Sequence, residues 1–183
     1  MSALYGCVIW LTGLPGSGKT TVAKIVSRKL REKGIRVELL DGDVVRRWLS
    51  PEAGFSQEDR RRHLRRVAHV ARLLARNGVF VLCSFVSPYR DIRKEVRKIV
   101  ESEGLKFVEV YTRCSVEECI KRDPKGLYRR ALKGEIKMFT GISDRYEEPE
   151  RPDITLDTEN EKPEESAEKI LRYLRENKLL EIA

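Results

Sequence analysis

The chain has 183 residues, 40% of them hydrophobic, which suits one compact domain (1–183) able to bury a core without disulfide staples. Its 37 Lys and Arg exceed 29 Asp and Glu by 8, and that positive balance calls for an anionic partner. No apolar run is long enough to cross a bilayer. The four cysteines (Cys7, Cys83, Cys114, Cys119) show no Cys-x-x-Cys spacing, so a reducing, cytoplasmic setting is expected, with no membrane partner.

The first element is an apolar run, Gly6 to Thr12, of the kind expected for a buried parallel strand. Gly13, Leu14, Pro15, Gly16, Ser17, Gly18, Lys19 and Thr20 follow as a complete phosphate-binding loop. Glycines let successive backbone N–H groups turn toward phosphate oxygens, and the helix N-terminus adds its partial positive charge. In such a loop the lysine reaches the β- and γ-phosphates and the hydroxyl of the last residue meets Mg²⁺. Residues 21–30 then place Val22, Ala23, Val26 and Leu30 on one helical face. Strand, loop and helix in this order predict a nucleoside triphosphate site, with ATP as co-substrate and Mg²⁺ as cofactor.

Val37 to Asp41 reads as the second strand, ending in Asp41-Gly-Asp43. Ligands of open α/β sheets gather at such carboxyl ends, so these carboxylates are candidates for organising a metal and for acting as a base. Spacing alone does not say which does which, and Asp43 also suits the N-cap of a helix starting at Val44. Gln57 to Asn77 is a long amphipathic helix with Leu64, Val67, Ala68, Ala71 and Leu74 as its apolar stripe, ended by Asn77-Gly78. Its start carries five arginines in seven residues, 60–66. Arg60 and one neighbour are expected in a substrate pocket and the rest at the surface. His69, on the same helix, is expected to be structural.

Val79 to Phe85 is a third strand without polar alternation, hence covered on both faces. Ser84-Phe-Val-Ser-Pro-Tyr89 follows, with Ser87 expected to be exposed at the active edge. Tyr89–Glu103 is a helix, 107–111 a fourth strand, and Ser115 caps a short helix through Lys121. Residues 123–140 are rich in Lys, Arg and Gly and read as a basic mobile lid. A fifth strand spans 154–157, and a last helix spans 163–177, opened by Pro163. The alternation predicts an α/β fold of the P-loop kinase type: a parallel sheet of about five strands, helices on both faces and a basic lid. No zinc-finger, aromatic RNA-stacking or helix-turn-helix signature supports a nucleic-acid partner.

Several segments together resemble the adenylyl-sulfate kinase family. They are Gly13–Thr20, Leu40–Arg46, Gly54–Arg60, Ser84–Tyr89, Arg122–Tyr128 and Lys137–Ile142. The resemblance implies transfer of the ATP γ-phosphoryl group to the 3′-hydroxyl of adenylyl sulfate. It implies catalytic roles for Asp43, Lys19 and Ser87. Asp43 matches the acidic residue at the 3′-hydroxyl, and Ser87 matches a serine described in relatives as a phosphoserine intermediate, although in-line transfer needs only positioning and charge stabilisation. Arg46, Phe55, Arg60, Val86, Ser87 and Phe139 match positions that hold adenylyl sulfate, with Phe55 and Phe139 around the adenine. Arg122 and Lys125 fall in the matching lid region as ATP contacts, and Thr20 and Asp41 are the candidate Mg²⁺ ligands. Relatives are commonly dimeric, so the resemblance leaves a homodimer open, while the sequence itself does not reveal the oligomeric state. Two places depart from the family: Arg62-His63 stands for Glu-Asn, so that either His63 replaces the lost Asn as a substrate contact or the pocket is altered, and Val44 stands for Asn. The rival readings are another P-loop small-molecule or nucleotide kinase and, less fitting, a nucleic-acid-binding NTPase.

Overall fold

The computed structural model describes residues 5–180. Five strands, β1 (Cys7–Thr12), β2 (Val37–Asp41), β3 (Phe80–Ser84), β4 (Lys106–Arg113) and β5 (Ile154–Asp157), form one sheet in the order β2-β3-β1-β4-β5. Every pairing is parallel; Ile9 at the centre lies opposite Leu82 on one side and Val108 on the other. Seven helices complete the described chain: α1 (Lys19–Arg31), α2 (Gly42–Leu49), α3 (Gln57–Arg76), α4 (Arg90–Glu101), α5 (Val116–Arg122), α6 (Leu127–Leu132) and α7 (Pro163–Glu176).

Period-two alternation divides the core into two layers. Cys7, Ile9 and Leu11 of β1 face the layer of α1 and α7, with Val22, Val26, Leu30, Ile170 and Leu174. Val8 and Trp10 face the opposite layer, with Val67, Ala71, Ile92 and Val96 of α3 and α4. Both faces are covered, which is why the central strands read as unbroken apolar runs. The expected faces of α1 and α3 are the buried ones, except that Leu74 is half-buried.

Local signals explain the helix ends. The Ser56 hydroxyl accepts the Asp59 N–H at 3.1 Å to open α3, and the Ser115 hydroxyl accepts the Glu118 N–H at 3.2 Å to open α5. Pro163 begins α7, and Gly78 takes a left-handed turn (φ 76°) after α3. The helix after β2 differs from expectation: α2 begins at Gly42, and its cap is Asp41, whose carboxylate accepts the Asp43 N–H at 3.1 Å. Asp43 is released from capping and projects from the first turn. Within the expected lid, 127–132 coils into the short helix α6. His69 faces solvent rather than the core, because the apolar stripe passes through Ala68 and Ala71.

The chain leaves β1 toward β2 on one side and leaves β3 toward β4 on the other. The switch point therefore lies at the carboxyl ends of β1 and β3, where an open α/β sheet forms a crevice. A third small core, with Leu14, Cys119, Tyr128 and Phe139, ties the loop after β1 to the lid.

Candidate active site

The loop after β1 is shaped by its neighbours as well as by its glycines. A Cβ on Gly13 would lie 2.2 Å from Thr112 Oγ1, so only glycine fits there. Thr112 donates to the Thr12 carbonyl at 3.0 Å, which leaves its oxygen to accept the Ser17 hydroxyl at 2.7 Å. Gly18 holds φ 90° at the start of α1. The Lys19 ammonium is buried inside the loop and donates to the Gly13 and Leu14 carbonyls at 2.9 and 2.7 Å. Burial pulls its pKa down to about 8. A bound polyphosphate would supply the missing counter-charge.

Thr20 donates to Asp41 Oδ2 at 2.7 Å and lies 2.9 Å from the Ser84 hydroxyl. Carboxylate and hydroxyl oxygens are hard donors, and Mg²⁺ is usually held by one or two such groups together with water and substrate phosphates. The donor set fits that cation, although no cluster of three or more His, Cys, Asp or Glu occurs among the described residues. Ser84 is an oxygen that sequence reading missed; its signal is a polar residue closing an otherwise apolar strand. Asp43 pairs with Lys125 of the lid, and both side chains are more than half exposed. Such a pair contributes at most about 1 kcal/mol and exchanges readily.

Arg122 donates to the Thr158 carbonyl at 2.7 Å and to Glu118 at 3.0 Å. Thr158 in turn flanks Gly18, which sets this arginine beside the loop. Tyr128 donates to the Pro15 carbonyl at 2.8 Å, so the lid base and the loop are joined.

The turn after β3 reaches the loop directly. Gly13 N–H points at the Val86 carbonyl at 3.4 Å, and the Thr12 hydroxyl donates to that same carbonyl at 2.7 Å. Ser87 is not exposed, as its position in the chain suggests, but 2% accessible. Its hydroxyl accepts the Trp10 indole N–H at 2.9 Å, because Trp10 on the neighbouring strand reaches beneath the turn. Its backbone has φ 46°, a left-handed conformation rare for a residue with a side chain.

Arg60 links the remaining candidates. Its guanidinium donates to the Phe55 carbonyl at 2.9 Å, the Met138 carbonyl at 2.6 Å and Thr140 Oγ1 at 3.1 Å, with Asp144 at 3.8 Å. The Phe55 ring is 55% exposed beneath Arg46, whose guanidinium carbon lies 4.6 Å from the ring centre. Phe139, the other expected aromatic, is buried in the third small core and edge-on to Tyr128 at 5.0 Å. The other arginines of the run do not converge on this pocket. Arg61 and Arg65 pair with Glu95 of α4, Arg62 with Asp59, and Arg66 with Glu52. His63 is buried beside Phe85, with Nδ1 2.9 Å from the Ser50 hydroxyl and Nε2 without a partner. Burial, then the charges of Arg46 and Arg66, lower its pKa to about 4, so the ring is neutral at pH 7.

The family model for adenylylsulphate kinase matches residues 5–157. A probable adenylyl-sulfate kinase of Aeropyrum pernix is 61% identical over 155 residues, 85% of each chain. The adenylyl-sulfate kinase of Staphylococcus epidermidis is 50% identical over 173 residues, 94% of this chain and 86% of its own. Among solved structures, the APS kinase CysC of Mycobacterium tuberculosis in complex with AMPPNP and APS superposes with a TM-score of 0.91. It is 44% identical, over 93% of this chain and 98% of that one. No helix among the described residues is long and apolar enough to cross a membrane.

Proposed function

The chain belongs to the adenylylsulphate kinase family and transfers the γ-phosphoryl group of ATP to the 3′-hydroxyl of adenylyl sulfate; we propose that the two edges of its switch-point crevice divide that work. The observation that carries this reading is the meeting of the Gly13–Thr20 loop with the Val86–Ser87 turn, within one hydrogen bond of each other.

ATP lies with its phosphates in the loop, where the backbone N–H groups and Lys19 hold the β- and γ-phosphates. Arg122 and Lys125 approach the nucleotide from α5 and the lid. Mg²⁺ belongs at the Thr20 hydroxyl and Asp41 carboxylate with Ser84 beside them, and when bound it neutralises phosphate charge. Adenylyl sulfate is held by Arg46, Phe55, Arg60, His63, Val86, Ser87 and Phe139. Asp43 accepts the proton of its 3′-hydroxyl as Lys125 exchanges the carboxylate for phosphate. The 3′-oxygen forms a bond to the γ-phosphorus while the bond from that phosphorus to the β–γ bridging oxygen breaks. ADP departs, and Asp43 returns the proton to solvent. Ser87 serves by position: its hydroxyl is engaged by Trp10 and buried, a poor setting for a covalent nucleophile.

Incubation of the purified protein with Mg-ATP and adenylyl sulfate tests this, with products separated by chromatography. Equal amounts of ADP and 3′-phosphoadenylyl sulfate are expected. Phosphorylation of AMP, a sugar acid or an oligonucleotide in place of adenylyl sulfate overturns it.

A further inference from the structure

Arg93, in the first turn of α4, is 4% exposed and matches no phosphate-loop or substrate motif. Its guanidinium nevertheless ends at the back of the crevice. Nη1 donates to the Ser87 carbonyl at 2.6 Å, Nη2 donates to the Glu147 carbonyl at 2.5 Å, and Nε lies 3.1 Å from Glu109 of β4. We propose that Arg93 is a positioning residue for adenylyl sulfate, a fork that fixes the Ser87 turn and clamps the segment 138–147 onto it.

Three further contacts make the clamp a closed circuit. Glu147 N–H donates to the Pro88 carbonyl at 2.8 Å, and Tyr89 donates to Asp144 at 2.6 Å. Asp144 faces Arg60, which itself holds the Met138 carbonyl and Thr140. The turn therefore cannot move without moving the segment that seats Arg60. The need for a restraint is visible in the turn itself, because Ser87 holds φ 46°, a conformation that costs free energy in a residue with a side chain. A planar fork reaches separate acceptors from one fixed carbon, whereas a lysine has a single nitrogen and cannot occupy both places. Thr12 pins the same turn from the phosphate-loop side through the Val86 carbonyl.

The inference rests on the reading that this turn and Phe55 belong to the adenylyl sulfate site, so the test carries an arm for each. Arg93→Lys keeps the charge beside Glu109 but loses the fork. It is expected to raise KM for adenylyl sulfate about tenfold with KM for ATP within about twofold. Glu109→Gln removes the charge partner and keeps both carbonyl bonds; it is expected to leave KM for adenylyl sulfate within about threefold. Equal rises in both KM values for Arg93→Lys, or a Glu109→Gln variant as impaired as Arg93→Lys, overturn the proposal. Should Arg93→Lys fail to fold, Thr12→Val deletes one donor to the turn and leaves the ion pair intact; a KM rise confined to adenylyl sulfate supports the proposal, and a rise confined to ATP overturns it. Phe55→Ala separates the layers. If it raises KM for adenylyl sulfate and Arg93→Lys does not, only the positioning role falls. If neither does, the site assignment falls and the positioning role with it.

Discussion

The nucleotide edge takes its loop from eight consecutive residues, Gly13 to Thr20, and adds one carboxylate from the end of the next strand. The proposed acceptor edge draws Arg46, Phe55, Arg60, Val86, Ser87 and Phe139 from separate segments, joined by Arg60 and Arg93 through backbone carbonyls. One edge is built locally, by turn geometry and a helix N-terminus. The other is built by long-range bonds between loops, held by the half-buried Arg60 and the buried Arg93. Damage at the first edge should therefore act on the transferred group itself. Damage at the second should act on where the acceptor sits.

The largest effect expected from this contrast is at Lys19. Lys19→Met keeps much of the stem but removes the charge proposed to meet the β- and γ-phosphates, and kcat/KM should fall by about 10³ or more. Steady-state kinetics with both substrates varied would check it, and a loss confined to KM for adenylyl sulfate would break the comparison. At the second edge, Arg60→Ala should raise KM for adenylyl sulfate by about 10- to 30-fold while KM for ATP stays within about threefold. Equal changes in both constants would show that the two edges are not separable.

The smallest effect concerns stability. The His63 imidazole ordinarily titrates near 6.5, but in the folded protein only near about 4, because burial disfavours its charged form. Below pH 6.5 the unfolded chain binds a proton that the folded chain does not. Stability is then full above pH 6.5 and declines as pH falls toward about 4. Urea midpoints measured across that range should show the decline, and His63→Asn should flatten it. Because this is a cost of burial at the acceptor edge, a slope unchanged by His63→Asn would locate it elsewhere.

The contrast also explains what could be read without coordinates. The phosphate loop, the alternation of strands and helices and the apolar faces of α1 and α3 depend on neighbours a few residues apart, so periodicity and glycine spacing report them. The sequence leaves the cap of α2 open between Asp41 and Asp43, which are equally good caps, and only the strand end decides for Asp41. Ser87 reads as exposed because nothing nearby in the chain announces that Trp10, 77 positions earlier, reaches under it. Most of the arginine run near Arg60 turned toward carboxylates on α4 and neighbouring loops, a pairing that no spacing within 60–66 encodes. Ser84, Thr12 and Arg93 escape a reading of the sequence for the same reason: partners of each lie across strands or in distant segments.

Asp43 stands between the two edges, on the helix capped by the metal-side carboxylate and paired to the lid. The most direct measurement is single-turnover transfer by Asp43→Asn, read beside calorimetric titration of each substrate. Transfer slowed by about 10²-fold or more, with both dissociation constants within about threefold of the parent, is the predicted result. Transfer at the parental rate, or a loss matched by equal weakening of ATP binding, would contradict the division of labour.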